Sequence, residues 1–318
     1  FLFESIRHLF DSGELQLVAG GGWRARYDDT ADDYGELPLP PSVQEVVIER
    51  VERLGAPARR VLEAAALTDA GFTLGEVQPA TALSDFESVD GLERAVQAQL
   101  LVRDARGGAT DGYRFAHELV RQALDARLGT ERRRLIHLKL AQSLQALQAP
   151  PARIAHHYES AGDGRAALPW RVSAAEQAAR VFGAREALAH TDRALALAPD
   201  MAQAVSIRRL RIALQRILYD LDAMSADVEA LADLVPQAGE PLLDLEATIG
   251  RADVANLLKR HAEALRLAQS VRGDGRWREL PITLRVKATS ELTFALGETG
   301  RAADAAAAWQ ALLDFGEP

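Results

Sequence analysis

The 318-residue sequence has no cysteine, two methionines and only 6% aromatic residues. Without cysteine it can form no disulfide, thiolate nucleophile, zinc finger or iron–sulfur site. With so few aromatics, Leu, Val and Ala must build the core, which favours closely packed helices over an aromatic-rich β-sandwich. No apolar run reaches the roughly 20 residues that span a bilayer. The chain also lacks a G-x-x-x-x-G-K-[ST] phosphate loop, a G-x-S-x-G elbow and an H-E-x-x-H pair. Gly20-Gly21-Gly22 lies between two β-like runs, so it reads as a turn and not as a phosphate cradle. No catalytic constellation emerges, and the chain is not expected to be an enzyme.

The composition that is present is ordinary for a folded protein, 48% apolar and 26% charged. Its 46 acidic against 37 basic residues give a net charge of -9, which should repel nucleic acid and anionic membranes. The sequence starts at Phe1, and Phe315-Gly316-Glu317-Pro318 follows a helical pattern. A piece of a larger protein is therefore expected.

Leu2, Phe3, Ile6, Leu9 and Phe10 fall at helical spacing, closed by Gly13. Leu15–Val18 and Trp23–Tyr27 flank the three glycines as a small hairpin. A solvated acidic loop from Asp28 to Asp33 and an extended Leu37-Pro38-Leu39-Pro40-Pro41 segment follow. Ser42 with Glu45 reads as a capping box before a helix carrying Val43, Val46, Val47, Val51 and Leu54. Gly55 ends it, and Pro57 opens a second helix with Val61 and Leu62. Phe72, Leu74 and Val77 mark a short element. Ser84 and Glu87 cap a third helix with Phe86, Val89, Leu92, Val96 and Leu100 on its apolar side. Leu100–Arg103 and Tyr113–Phe115, around Gly107-Gly108, then form a hairpin. Helix, helix, helix, hairpin is the winged-helix order.

From Ala116 the pattern is helical almost throughout. Leu119, Val120, Ala123, Leu124 and Leu128 form one stripe, and Leu135, Leu138, Ala141, Leu144 and Leu147 another. Beyond Pro151, Ala187, Ala223, Ala264 and Ala305 recur at steps of 36, 41 and 41 residues, each with a small or apolar residue seven further on. These offsets match the second helix of a tetratricopeptide (TPR) repeat, with a period longer than the standard ~34. Lengthened, divergent hairpins are expected.

His156 and His157 are adjacent and diverge by about 100° on a helix, so they read as surface or groove histidines and not as a metal clamp. Arg132-Arg133-Arg134 reads as a solvated face or an interdomain contact. The helix from Asp85 to Gln99 sets Asp85, Glu87, Asp90 and Glu93 against Arg94, which argues for packing and against direct DNA binding. Trp170, Phe182, Tyr219, Trp277 and Trp309 are candidate groove anchors, although such residues more often pack between repeats.

Three features together resemble the STAND class of signal-transduction P-loop ATPases. They are Leu37–Val43, the strand-to-helix run Tyr113-Arg114-Phe115-Ala116-His117-Glu118-Leu119, and a winged-helix pattern beside helical repeats. The likeness is closest to bacterial LuxR-type transcriptional regulators. It covers residues 1–200 well, and the remainder only as repeat architecture. The resemblance implies a mainly α fold: a winged-helix domain with a small β-hairpin wing, then a TPR-like α-solenoid. It sets the domains at 1–38 (end of the ATPase lid helix and hairpin linker), 39–130 (winged helix) and 131–318 (repeats). Ala116-His117-Glu118 is similar to the Met-His-Asp motif of the related NB-ARC proteins, which implies that His117 contacts ADP phosphate in the intact protein only. A histidine at a helix N-terminus suits an anion, and a plain hydrogen bond across the junction suits it equally well.

The implied function is regulatory. The repeats bind a protein, peptide or small effector and relay occupancy to the missing ATPase domain, which binds ATP or ADP with Mg. No cofactor, metal or membrane is expected for this chain itself, and a cytoplasmic location is. A stand-alone winged-helix DNA-binding regulator and a TPR scaffold are the alternatives.

Overall fold

The computed structural model describes residues 15–18, 22–25, 41–68, 71–104, 112–197 and 199–314. The helix expected over 1–13, the acidic stretch, the Leu37–Pro40 segment, the Gly107-Gly108 loop and the last four residues lie outside them. The described chain is mainly helical, with two two-stranded antiparallel sheets. It divides into two compact units, Phe1–Ala167 and Leu168–Pro318. No described helix is long and apolar enough to cross a membrane.

In the first unit, β1 (Leu15–Val18) and β2 (Gly22–Ala25) pair from Leu15 opposite Ala25 to Val18 opposite Gly22. Helix α1 (Pro41–Glu52) begins on Pro41, so proline occupies the first turn and Ser42 lies within the helix. Gly55, at φ 87°, turns the chain into α2 (Ala56–Ala65), a conformation an L side chain adopts only with strain. Helix α3 (Leu74–Thr81) has a Thr73–Glu76 capping box, and α4 (Asp85–Gln97) has the expected Ser84–Glu87 box. There the Ser84 N–H donates to Glu87 Oε2 at 2.9 Å, and the Glu87 N–H donates back to Ser84 Oγ at 3.4 Å.

Strands β3 (Leu101–Asp104) and β4 (Gly112–Phe115) pair as a hairpin. Phe72 bridges to Tyr113 through two backbone hydrogen bonds of 2.8 and 2.7 Å. Three helices follow: α5 (Glu118–Arg127), α6 (Thr130–Ala146) and α7 (Pro151–Ser160). One core joins α1, α2, α4, α5 and the start of β3 through Val47, Val51, Val61, Leu62, Leu92, Leu100, Val120 and Leu124. Helix α6 adds Ile136 and Leu140 to it.

Two helices bury only part of the apolar stripe expected of them: Leu92 on α4 and Ala141 and Leu144 on α6 are buried as expected, and other members of each stripe are not. Phe86 and Val89 on α4 are 87% and 40% exposed; Ser88, Gly91, Leu92 and Ala95 face the core instead. On α6, Leu135 and Leu147 are exposed, while Ile136, His137, Leu140, Ala141 and Leu144 are buried. Both helices carry apolar residues on two sides, so the neighbouring surface, and not the periodicity, selects the buried one.

The second unit contains the later part of α8 (Gly164–Arg180), then α9 (Ala184–Ala196), α10 (Met201–Leu218), α11 (Leu221–Ala238), α12 (Leu243–Leu257) and α13 (His261–Gly273). A 3₁₀ turn at Trp277–Glu279, α14 (Ile282–Glu298) and α15 (Ala302–Leu313) complete it. Each helix from α9 on packs against the next, as in a run of helical hairpins. Ala187 and Ala194 on α9, and Ala264 and Val271 on α13, are buried at these crossings. On α11 the register is one residue later than the alanine pattern suggests. Met224, Val228 and Leu231 are buried, and Ala223 and Ala230 only partly so.

Candidate functional site

Helices α10, α12 and α14 line two cavities of about 340 and 470 Å³ that share Arg216, and α11 also walls the first. The first is walled mainly by apolar side chains, among them Ile212, Ile217, Val228, Leu231, Ile249 and Leu284. Tyr219, Leu257, Phe294, Asn256 and Glu291 line the second. Ile217, Tyr219 and Phe294 are all more than half exposed, so an apolar strip lies open to solvent along these cavities.

A ladder of ion pairs sets the helix positions. Arg209 and Arg216 stand seven residues apart on α10 and meet Glu246 and Asp253, seven apart on α12. Helical periodicity puts each pair on one face, two turns apart. Arg209 binds Glu246 bidentately at 2.9 and 2.6 Å and reaches Glu240 at 2.7 Å. These hydrogen bonds, against the opposing effect of burial, keep its guanidinium protonated beyond its already high range. Arg216 Nε lies 3.1 and 3.2 Å from the two Asp253 oxygens, and Lys287 Nζ from α14 lies 3.2 Å from the same carboxylate. Asn256 donates to the backbone oxygen and Oε2 of Glu291 at 3.0 and 2.9 Å, tying α12 to α14. Burial and the nearby Asp253 raise the pKa of Glu291, and the Asn256 bond opposes them.

Further along, buried Asp227 on α11 accepts from Arg208, Arg211 and Gln215 of α10, with Arg211 Nε at 2.8 Å. Arg211 continues to Thr191 and Asp192 on α9. None of these acids and bases stood out from the sequence. The matched seven-residue spacings on α10 and α12 are the signal that could have identified them.

The aromatic candidates part company. Tyr219 lines the second cavity from the end of α10, at φ 59°. Trp277 is buried in a core cluster with the Arg272 guanidinium 4.6 Å from its ring. Phe182 is 96% exposed, and Trp309 is partly exposed.

In the first unit, His117 is the exposed N-cap residue of α5 and makes no side-chain capping bond. Its carbonyl accepts the Val120 N–H at 3.0 Å, and the preceding Ala116 N–H donates to Leu100 O. Arg114, Phe115, Glu118 and Arg121 line a cavity of about 220 Å³ beside it. Arg132 pairs with Glu63 at 2.6 Å, and Arg133 and Arg134 pair with Asp125 and Glu131. The arginine run therefore ties α6 to α2 and α5.

His157 is buried, contrary to the surface placement expected for it. Its Nδ1 lies 2.8 Å from Nδ1 of buried His137 across α6 and α7, with the His156 ring also near. Among the described residues no group of three His, Asp or Glu side chains is arranged to hold a metal. Burial first, then the positive potential of His137, His156 and Arg153, lowers the His157 pKa from 6.5 to about 3. Between those values the unfolded chain takes up a proton that the folded chain refuses. Its stabilising effect is thus complete above pH 6.5 and declines as the pH falls toward 3, by at most about 1.4 kcal/mol per pH unit. Urea unfolding at neutral and mildly acid pH is expected to show this loss, and His157→Gln to flatten it.

No protein-family model matches the chain, and no curated protein matches it. One of the solved structures it matches is a Signal Transduction ATPase with Numerous Domains (STAND) protein with a tetratricopeptide repeat sensor from Pyrococcus horikoshii. The identity is 12% and the TM-score 0.40, with 88% of this chain and 47% of that one covered. The chain thus spans about half the length of that protein.

Proposed function

We propose that this chain is the regulatory, signal-reading segment of a STAND-class ATPase, of the kind found in bacterial LuxR-type transcriptional regulators. In this reading residues 39–130, with α1 to α4 and the β3–β4 hairpin, form a winged helix, and residues 131–318 form a TPR-like solenoid. The observation that carries the reading is the groove on α10, α12 and α14. Its open apolar strip and ion-paired floor are built to bind, and hydrophobic surface left exposed in this way marks an interaction site. A protein, peptide or small effector seated there biases the arrangement of the helices, and the winged helix relays the change to a nucleotide-binding domain that holds ATP or ADP with Mg. Nothing in this role requires chemistry by the chain itself. His117, exposed at the start of α5, is placed to offer a donor to a terminal phosphate of that nucleotide.

The outward stripe of α4, with Phe86, Val89, Asp90 and Glu93, disfavours DNA as the partner of the winged helix, because acidic groups repel phosphates. In the intact protein, His117→Ala is expected to loosen ADP and raise basal output. Phe294→Asp, on the groove, is expected to abolish the response to the activating signal and leave ADP affinity intact. Unchanged ADP affinity with His117→Ala rejects the histidine's role, and a full response from Phe294→Asp rejects the groove.

A further inference from the structure

We infer that the cavity between α10, α11, α12 and α14 binds a small amphipathic organic anion, an apolar body ending in a carboxylate, with Arg216 and Lys287 as its anion site. The inference rests on the groove reading above and adds the chemical class of the ligand. Three observations carry it.

The cavity volume of about 340 Å³ falls in the range of small-molecule pockets. Its walls are aliphatic, with Ile212, Val228, Ile249 and Leu284 supplying surface that favours a hydrocarbon or aryl body over a sugar or nucleotide. Its polar rim presents donors and few acceptors. Both Glu246 oxygens are occupied by Arg209. Asp253 is only 1% exposed, and both its oxygens are held by Arg216 and Lys287.

The two cations, by contrast, keep 52% and 36% of their side chains in solvent. Arg216 uses only its Nε edge on Asp253; among the described residues its terminal nitrogens meet no other acceptor. Lys287 spends one contact on Asp253 and has further N–H donors to give. Arg209, the other cation at the rim, is committed to Glu246 and Glu240. A ligand entering the apolar cavity therefore meets a pair of partly hydrated N–H donors, anchored from below by a buried carboxylate. That arrangement is complementary to a carboxylate and repels a cationic head group.

The test uses the chain with decanoate as probe, compared with decanol and decyltrimethylammonium, by isothermal titration calorimetry. Decanoate is expected to bind saturably at one site, decanol at least about tenfold more weakly, and the ammonium compound not at all. Arg216→Gln is expected to weaken decanoate by about tenfold or more and Lys287→Gln by several-fold. Each single variant leaves Asp253 one cationic partner, and circular dichroism checks the fold. Ala213→Trp, from an exposed wall position that changes no charge, is expected to block the cavity. The proposal is overturned by non-saturable decanoate binding, by decanol binding equally well, or by Arg216→Gln or Ala213→Trp leaving affinity unchanged. Should decanoate fail while Phe294→Asp still silences the intact protein, the ligand class falls and the groove reading stands.

Discussion

Asp227→Ala is expected to destabilise the second unit by about 3 kcal/mol, at the low end of the range for removing one partner of a buried ionic cluster. The carboxylate is nearly inaccessible and receives donors from Arg208, Arg211 and Gln215. Arg208 can turn toward water when its partner goes, which limits the loss. Arg211 is more deeply enclosed, with 15% of its side chain exposed, and keeps only Asp192 and Thr191. Gln215, 1% exposed, is left with a stranded amide. Asp192→Ala removes a carboxylate that is 64% exposed and bonds to the same arginine. It should cost at most about 1 kcal/mol, because water replaces an exposed partner cheaply. Urea denaturation gives the two values, and amide hydrogen exchange should place the loosening in α9, α10 and α11. Equal costs for the two alanines would mean that burial of Asp227 contributes nothing.

The same cluster explains what was legible in the sequence and what was not. Local signals carried well: the Ser84–Glu87 box and the two β-hairpins each depend on residues close in the chain. Ala187 with Ala194 and Ala264 with Val271 gave away helix crossings because small side chains there have no other use. Periodicity failed where a helix had two apolar sides. Leu135 and Ile136 are equally hydrophobic, and only the surface contributed by α3 and α7 decides which is buried. It failed for the candidate site for a related reason. Arg216, Asp253 and Lys287 come from three helices spread over seventy-odd residues, and each looks alone like an ordinary solvated charge. His157 misled in the opposite direction: an adjacent pair of histidines looks solvent-facing until α6 supplies His137 to meet one of them. The signal-relay function proposed above rests on resemblance alone.

Gly91→Ala should destabilise the first unit by about 2 kcal/mol, although helix propensity alone predicts the reverse. Alanine in mid-helix is favoured over glycine by about 1 kcal/mol, and Gly91 lies in the middle of α4. A Cβ there, however, would sit 2.7 and 2.8 Å from the Pro57 backbone carbon and oxygen and 3.0 Å from Ala58 N. Those atoms belong to the backbone of α2 and cannot rotate away, so α4 must move outward and take Leu92 and Ala95 from the core. Overpacking of this kind costs about 1–3 kcal/mol, and a backbone obstacle puts it at the upper end and beyond the propensity gain. Gly297→Ala on α14 provides the opposite case. Gly297 is exposed and helical, and an added Cβ meets nothing within 4 Å. Propensity then acts unopposed, and the second unit should gain up to about 1 kcal/mol. Opposite shifts in the unfolding midpoints of the two units would show that the absent side chain is what lets α2 and α4 cross so closely; a gain from both variants would mean that α4 has room that the 2.7 Å approach denies.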